Sequence, residues 1–232
     1  MSALIANLIS YWKLEEASST RSDTHGSNDL TDNNTVGQGT GIIGNCADFE
    51  RSNDEYLSIA DNSDLSAGDN DFTIAGWVKH EVVNVTMGIV AKWGGSAANQ
   101  EYFFRLISAG RYQWNVSDDT SETTVELDND PVAETWYFWC VWHDAVNNEI
   151  GIRLDDEENT QSYSDGLSDG NAAFQIGGFP GNYMDGEIDE VGFWKRVLTQ
   201  SERDILYNLG NAAPYPFKEK KSPGILTNHM VT

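Results

Sequence analysis

The sequence predicts an all-β fold, a sandwich or barrel, with one short helix near its C-terminal end. Three observations carry this. Short apolar stretches alternate with period two from end to end, polar Gly/Asn/Asp/Ser turns separate them, and one segment has helical periodicity with a start and a stop signal. Strands read in order at 8–14, 46–49, 56–59, 72–79, 88–92, 102–107, 111–116, 123–127, 136–143, 149–154, 173–177 and 185–194. Such a turn-punctuated series closes on itself as two packed sheets or a barrel.

In FTIAGWVK (72–79), Phe72, Ile74 and Val78 fall on one face and Thr73, Trp77 and Lys79 on the other. WYFWCVWH (136–143) is apolar on both faces, which predicts a central strand with Phe138 and Cys140 towards one layer and Tyr137 and Val141 towards another. The helix is TQSERDILYNLG: Thr199 and Glu202 form a capping box, Ile205, Leu206 and Leu209 share a face, and Gly210 supplies a left-handed stop. Beyond Pro214 periodicity is lost and Lys218, Lys220 and Lys221 cluster. The predicted organisation is one domain over 1–213 and an irregular tail over 214–232 that a protein partner would order.

The chain has 14 basic and 37 acidic residues in 232, a net charge of -23, which repels nucleic-acid phosphates and anionic membranes. No stretch approaches the ~20 apolar residues of a membrane span, and the N-terminus lacks the basic and apolar regions of a signal peptide. Cys46 and Cys140 form no metal-site spacing; they read as two buried free thiols or as one structural disulfide. GTGIIG at 39–44 precedes a strand, where a dinucleotide-binding turn needs a helix, and the four histidines have no metal-ligand spacing.

The blocks LISYWKLEE, DTHGSNDLT, GIIGNCADFE, YLSIADNSDLSAGDNDFTIAGWVK, TWYFWCVWHD and GEIDEVGFWKRVLTQSERDILY resemble, in order, those of laminin-G-like and pentraxin-like jelly rolls over about residues 8–209. The last block is the most specific; residues 84–130 match in strand pattern alone. The resemblance implies a two-sheet antiparallel jelly-roll β-sandwich, concanavalin A-like, with one short C-terminal helix. It also implies a structural Ca²⁺ clipping the first and last strands, with Glu16, Asp23, Gly26, Asn28 and Asp189 at the matching positions. A hard cation served by 6–8 oxygens from distant segments suits that role. Glu15-Glu16 stands where Asp-Glu is usual, and His25 and Ser27 depart from the common turn.

Related glucanases carry Glu-x-Asp-x-Glu on one strand. In GEIDEV, alternation gives Glu187 and Asp189 a common face, puts Val191 next on it and turns Glu190 away, so the pair of carboxyls a retaining glycosidase needs is incomplete. The expectation is a module without catalysis. Loop aromatics and amides that could hold a sugar are Trp93, Trp114, Phe179, Asn182 and Tyr183. Similar domains occur in tailed-phage virion proteins, as capsid decorations and adhesins. Met1 without an export signal and the basic tail suit cytoplasmic assembly and a virion surface. The alternatives are a secreted or cell-surface lectin module and, third, a glycoside hydrolase or lyase; the glycan and the oligomeric state stay open.

Overall fold

The period-two segments pair into two antiparallel sheets whose apolar faces meet. The computed structural model describes residues 3–217. One sheet runs, in spatial order, Glu157–Ser162, Glu149–Leu154, Trp136–Asp144, Phe72–His80, Gly186–Trp194, Asn45–Phe49 and Gly37–Thr40, with Leu8–Trp12 also pairing with Gly186–Trp194. The other runs Glu122–Asp128, Arg111–Ser117, Gln100–Ile107, Met87–Trp93, Phe174–Ile176, Tyr56–Ile59 and Thr31–Asn33. This is the jelly-roll sandwich, with the first and last of its described strands side by side in the first sheet.

Inward residues fill one continuous core, with Ile74, Val78, Trp139 and Val141 from the first sheet facing Tyr102, Phe104, Tyr112 and Trp114 from the second. Trp136–Asp144 is buried on both faces, as its sequence predicts. Phe138, Cys140 and Trp142 join a second cluster on the outer face with Tyr11, Trp77, Trp194 and Leu206. The helix Gln200–Tyr207, with Leu4 and Leu8 before it and Ala212 and Phe217 after it, supplies that outer layer. Arg203 lies 4.3 Å from the Trp142 ring centroid and pairs with Glu158. Cys46 and Cys140 are free and buried. Two strands separate theirs in the sheet, and at ~4.8 Å per strand step no disulfide can span them.

Several boundaries differ from the sequence reading. The first strand ends at Trp12, because Leu14 turns left-handed at φ 60°. Thr31–Asn33, Gly37–Thr40 and Glu157–Ser162 carry no apolar alternation; neighbours recruit them as edges, and Glu157–Ser162 is exposed along its whole length. The acidic residues of that last strand discourage further pairing. The capping box forms as expected, but the helix stops at Asn208, left-handed at φ 48°, before Gly210. Leu209 therefore leaves the helical face and is exposed, while Leu206 stays buried. Of the expected tail, Tyr215 stacks on Tyr11 at 4.6 Å and Phe217 meets the same ring edge-on; 218–232 lie outside the described residues. Among the described residues no helix is long and apolar enough to cross a membrane.

Candidate functional site

The hairpin formed by Gly178–Phe179 and Asn182–Tyr183 folds against the outer face of Met87–Trp93. Gly88 permits this, since a Cβ there would stand 2.5 Å from that of Phe179. Gly177 and Gly181, both at φ 77°, make the turns at its base and tip. Opposite lies the loop 50–55, tied by the buried Glu55, whose carboxylate accepts from the Glu50 backbone N–H at 2.8 Å and from Asn53 Nδ2 at 3.1 Å. The backbone N–H of Arg51 donates to Asp185, and Asn34 Nδ2 donates to the Asp54 carbonyl at 2.9 Å.

Between hairpin and loop opens a cleft of about 250 Å³ lined by Arg51, Ser52, Asp54, Gly181, Tyr183 and Asp185. Tyr183 stacks on Tyr56, with centroids 5.8 Å apart and planes inclined by 28°. Burial and the Asp54 carboxylate push the Tyr183 hydroxyl up, so it stays a donor. An aromatic ring, a guanidinium and two carboxylates thus share one open, preorganised concavity.

Of the five residues expected to hold a sugar, Tyr183 lines this cleft and Asn182 is its neighbour in the hairpin. Trp93 and Phe179 pack around Phe103, at 4.8 and 4.5 Å between centroids, and Arg105 stacks over Phe103 and Phe179. Trp93 is buried and Phe179 half-buried in this cluster, apart from the cleft. Trp114 requires correction: it is fully buried in the main core and its indole N–H donates to the Trp142 carbonyl at 3.1 Å, so no ligand reaches it. Alternation alone cannot tell an inward from an outward tryptophan. Arg51 and Asp54 escaped sequence reading because RSNDE looks like an ordinary turn, and Tyr56 and Asp185 because they read as the first residues of strands.

The residues of the expected calcium set make local contacts, and Glu16 Oε2 and Asp189 Oδ1 are buried without hydrogen-bond partners. Asp23 accepts from the backbone N–H groups of Tyr11, His25, Gly26 and Asn28 at 2.8–3.0 Å, which holds its carboxyl below the usual range despite burial and uses its oxygens for the turn. Gly26 is needed there because a Cβ would strike the Ile9 carbonyl. The Asn28 carbonyl accepts from Trp12 Nε1 at 2.7 Å, and Glu16 accepts from Ser22. Asp189 faces Gly41 and Ile43, with Glu15 as the nearer early acid. Glu16, Asp23 and Asp189 form no common ligand group; among the described residues the one such group is Asp48, Glu81 and Glu187.

Strict alternation also fails in GEIDEV. Glu190 takes φ 51°, and the pairing register shifts between Asp189 and Gly192. This bulge turns Glu190 to the outer side with Asp189 and sends Val191 into the main core, correcting the sequence reading on both residues. The carboxylates are nonetheless covered. Asp189 is fully buried, and burial pushes it up to about 8. Glu190 accepts from Tyr11 Oη at 2.5 Å beneath Trp194, Leu206 and Ala213, beside a cavity of about 10 Å³ that holds at most one water.

Burial pushes the Glu190 carboxyl up to about 7, against the pull of Tyr11 and Lys13. A raised acid makes the folded state bind the proton more tightly, so its stabilisation is full below the unfolded value and is lost as pH rises through about 7. In Glu190→Gln, which keeps an acceptor for Tyr11, the loss of stability between about pH 5 and about pH 8.5 should shrink by up to a few kcal/mol, read by urea unfolding. An unchanged slope would contradict the assignment.

The fold matches the binding domain of Paraclostridial Mosquitocidal Protein 1 (TM-score 0.70, 14% identity, 88% of this chain and 52% of that one). It matches Domain 4 of AbnA, a GH43 extracellular arabinanase from Geobacillus stearothermophilus, solved with arabinotriose (0.67, 16%, 85% and 97%). It also matches the binding domain of Botulinum Neurotoxin DC in complex with SialylT (0.70, 12%, 89% and 52%). The chain thus spans about half the length of the toxin binding domains and nearly all of the arabinanase domain. No curated protein matches by sequence. Residues 51–202 match the family model of the Concanavalin A-like lectin/glucanases superfamily, and the chain belongs to that superfamily.

Proposed function

We propose that this chain is a non-catalytic carbohydrate-binding module and that the sugar sits in the cleft between the loop 50–55 and the hairpin 178–183. The observation that carries the reading is Tyr183, stacked on Tyr56 and lining a concavity with Arg51, Asp54 and Asp185. A sugar ring has an apolar C–H face and a rim of hydroxyls; the tyrosine serves the face and the charged groups serve the rim. The arabinotriose and SialylT complexes of structurally similar domains support the ligand class. The reading of no catalysis is supported by the burial of Asp189 and Glu190, which leaves neither carboxylate open to a glycosidic bond.

A glycan array should yield a saturable hit. Isothermal titration with that glycan should show affinity weakened about tenfold or more in Tyr183→Ala, with the melting temperature within a few degrees of the parent. Undiminished binding by Tyr183→Ala would remove the cleft from consideration.

A further inference from the structure

We propose that Asp48, Glu81 and Glu187 form a site for a hard divalent cation, Ca²⁺ in chemical class, separate from the set implied by resemblance. Asp48 and Glu187 are direct partners across neighbouring strands, so their side chains leave the same outer face of the sheet. Glu81 follows the last residue of Phe72–His80 and is fixed by its backbone N–H donating to the Asp185 carbonyl at 3.0 Å. The three side chains each bring a carboxylate oxygen within 4.8 Å of the other two. Ligands bound to one Ca²⁺ at ~2.4 Å can stand no further apart than about this.

A second observation, independent of the charge count, points to a ligand. Glu187 is 8% exposed, and its Oε2 is buried with no hydrogen-bond partner; Asp48 Oδ1 is in the same condition. Buried carboxylate oxygens without donors are costly, and a cation held between these two strands would relieve that cost. Lys79 does not. Its ammonium is committed to the other Glu187 oxygen, Oε1, at 2.7 Å, with Glu134 next at 3.8 Å. One lysine among these acids leaves an excess of negative charge.

The donor set favours Ca²⁺. All three ligands are oxygens, they come from separate elements, and water can complete a 6–8-fold shell of tolerant geometry, whereas Mg²⁺ demands a near-ideal octahedron. The ion would join Asn45–Phe49, the end of Phe72–His80 and the start of Gly186–Trp194, adding to stability by binding only the folded chain.

The test is isothermal titration of chelator-stripped full-length protein with CaCl₂, with MgCl₂ as comparison, paired with melting curves. One saturable Ca²⁺ event and a higher melting temperature in Ca²⁺ are expected. Glu81→Gln alters an exposed residue and leaves the fold intact; it should weaken Ca²⁺ about tenfold or more, as should Asp48→Asn, whereas Glu16→Gln should not. No heat and no melting shift in the parent, or full binding by Glu81→Gln, overturns the site. Loss in Glu16→Gln with retention in Glu81→Gln places the ion elsewhere and overturns it equally.

Discussion

Replacing Lys92 with methionine is expected to destabilise the fold by about 3–5 kcal/mol, measured by urea unfolding near neutral pH. Lys92 is fully buried; its ammonium donates to the Gly170 carbonyl at 2.6 Å and forms ion pairs with Glu101 at 2.5 Å and Asp61 at 2.7 Å. Two carboxylates and one carbonyl thus surround the ammonium. The clip also spans the chain: Glu101 accepts from the Ala67 backbone N–H, and Gly170 belongs to the long connection before Phe174–Ile176. Burial pushes Glu101 up to about 7 while Lys92 pulls it down; the more open Asp61 is held below its usual range by the same ammonium.

Removing the cation alone leaves Glu101 buried without its counter-charge, and that penalty exceeds the worth of the contact itself. A compensating Glu101→Leu in the Lys92→Met background should therefore recover part of the stability, since both buried charges then disappear. If Lys92→Met unfolds within about 0.5 kcal/mol of the parent, the triad is not a structural element.

Trp139→Ala should also cost about 3–5 kcal/mol. Trp139 lies at the centre of WYFWCVWH, fully buried, with its ring 5.1 Å from Phe104 of the facing sheet. Gly76 makes room for it: a Cβ there would stand 3.0 Å from both the Trp139 ring and Val191. Alanine would open a large cavity in the middle of the sandwich. The indole N–H has no partner in this position, so Trp139→Phe removes an unsatisfied donor along with part of the ring and should cost clearly less. Equal losses for the two variants would mean that the N–H matters more than the volume.

The legible part of the fold is the part governed by burial. Where both faces are apolar, as in Trp136–Asp144, or alternate cleanly, as in Phe72–His80, strand, layer and facing follow from period alone. Edge strands such as Glu157–Ser162 hold their place through neighbouring backbone groups, which no side-chain pattern records. The bulge at Glu190 is likewise a backbone event, and one residue of slip exchanges the two faces of everything after it. This is why GEIDEV read wrongly at Glu190 and Val191.

The same division explains the site. Tyr183 was visible as an aromatic in a turn, but its partners come from the loop 50–55, more than a hundred residues earlier, and only the strand order brings them together. Trp114 shows the converse: its residue type suggested a ligand while its position in the register sent it inward, opposite Val125 and Phe104. Asp48 and Glu187 meet because Asn45–Phe49 pairs with Gly186–Trp194, a juxtaposition across most of the chain.

Diffraction from crystals soaked with the glycan that an array selects tests the carbohydrate assignment most directly. The expected density is a sugar ring lying against Tyr183, with hydroxyls at hydrogen-bond distance from Asp54 or Asp185. Sugar density confined to another surface, such as the strand face bearing Arg105, Gln113 and Glu126, would contradict it.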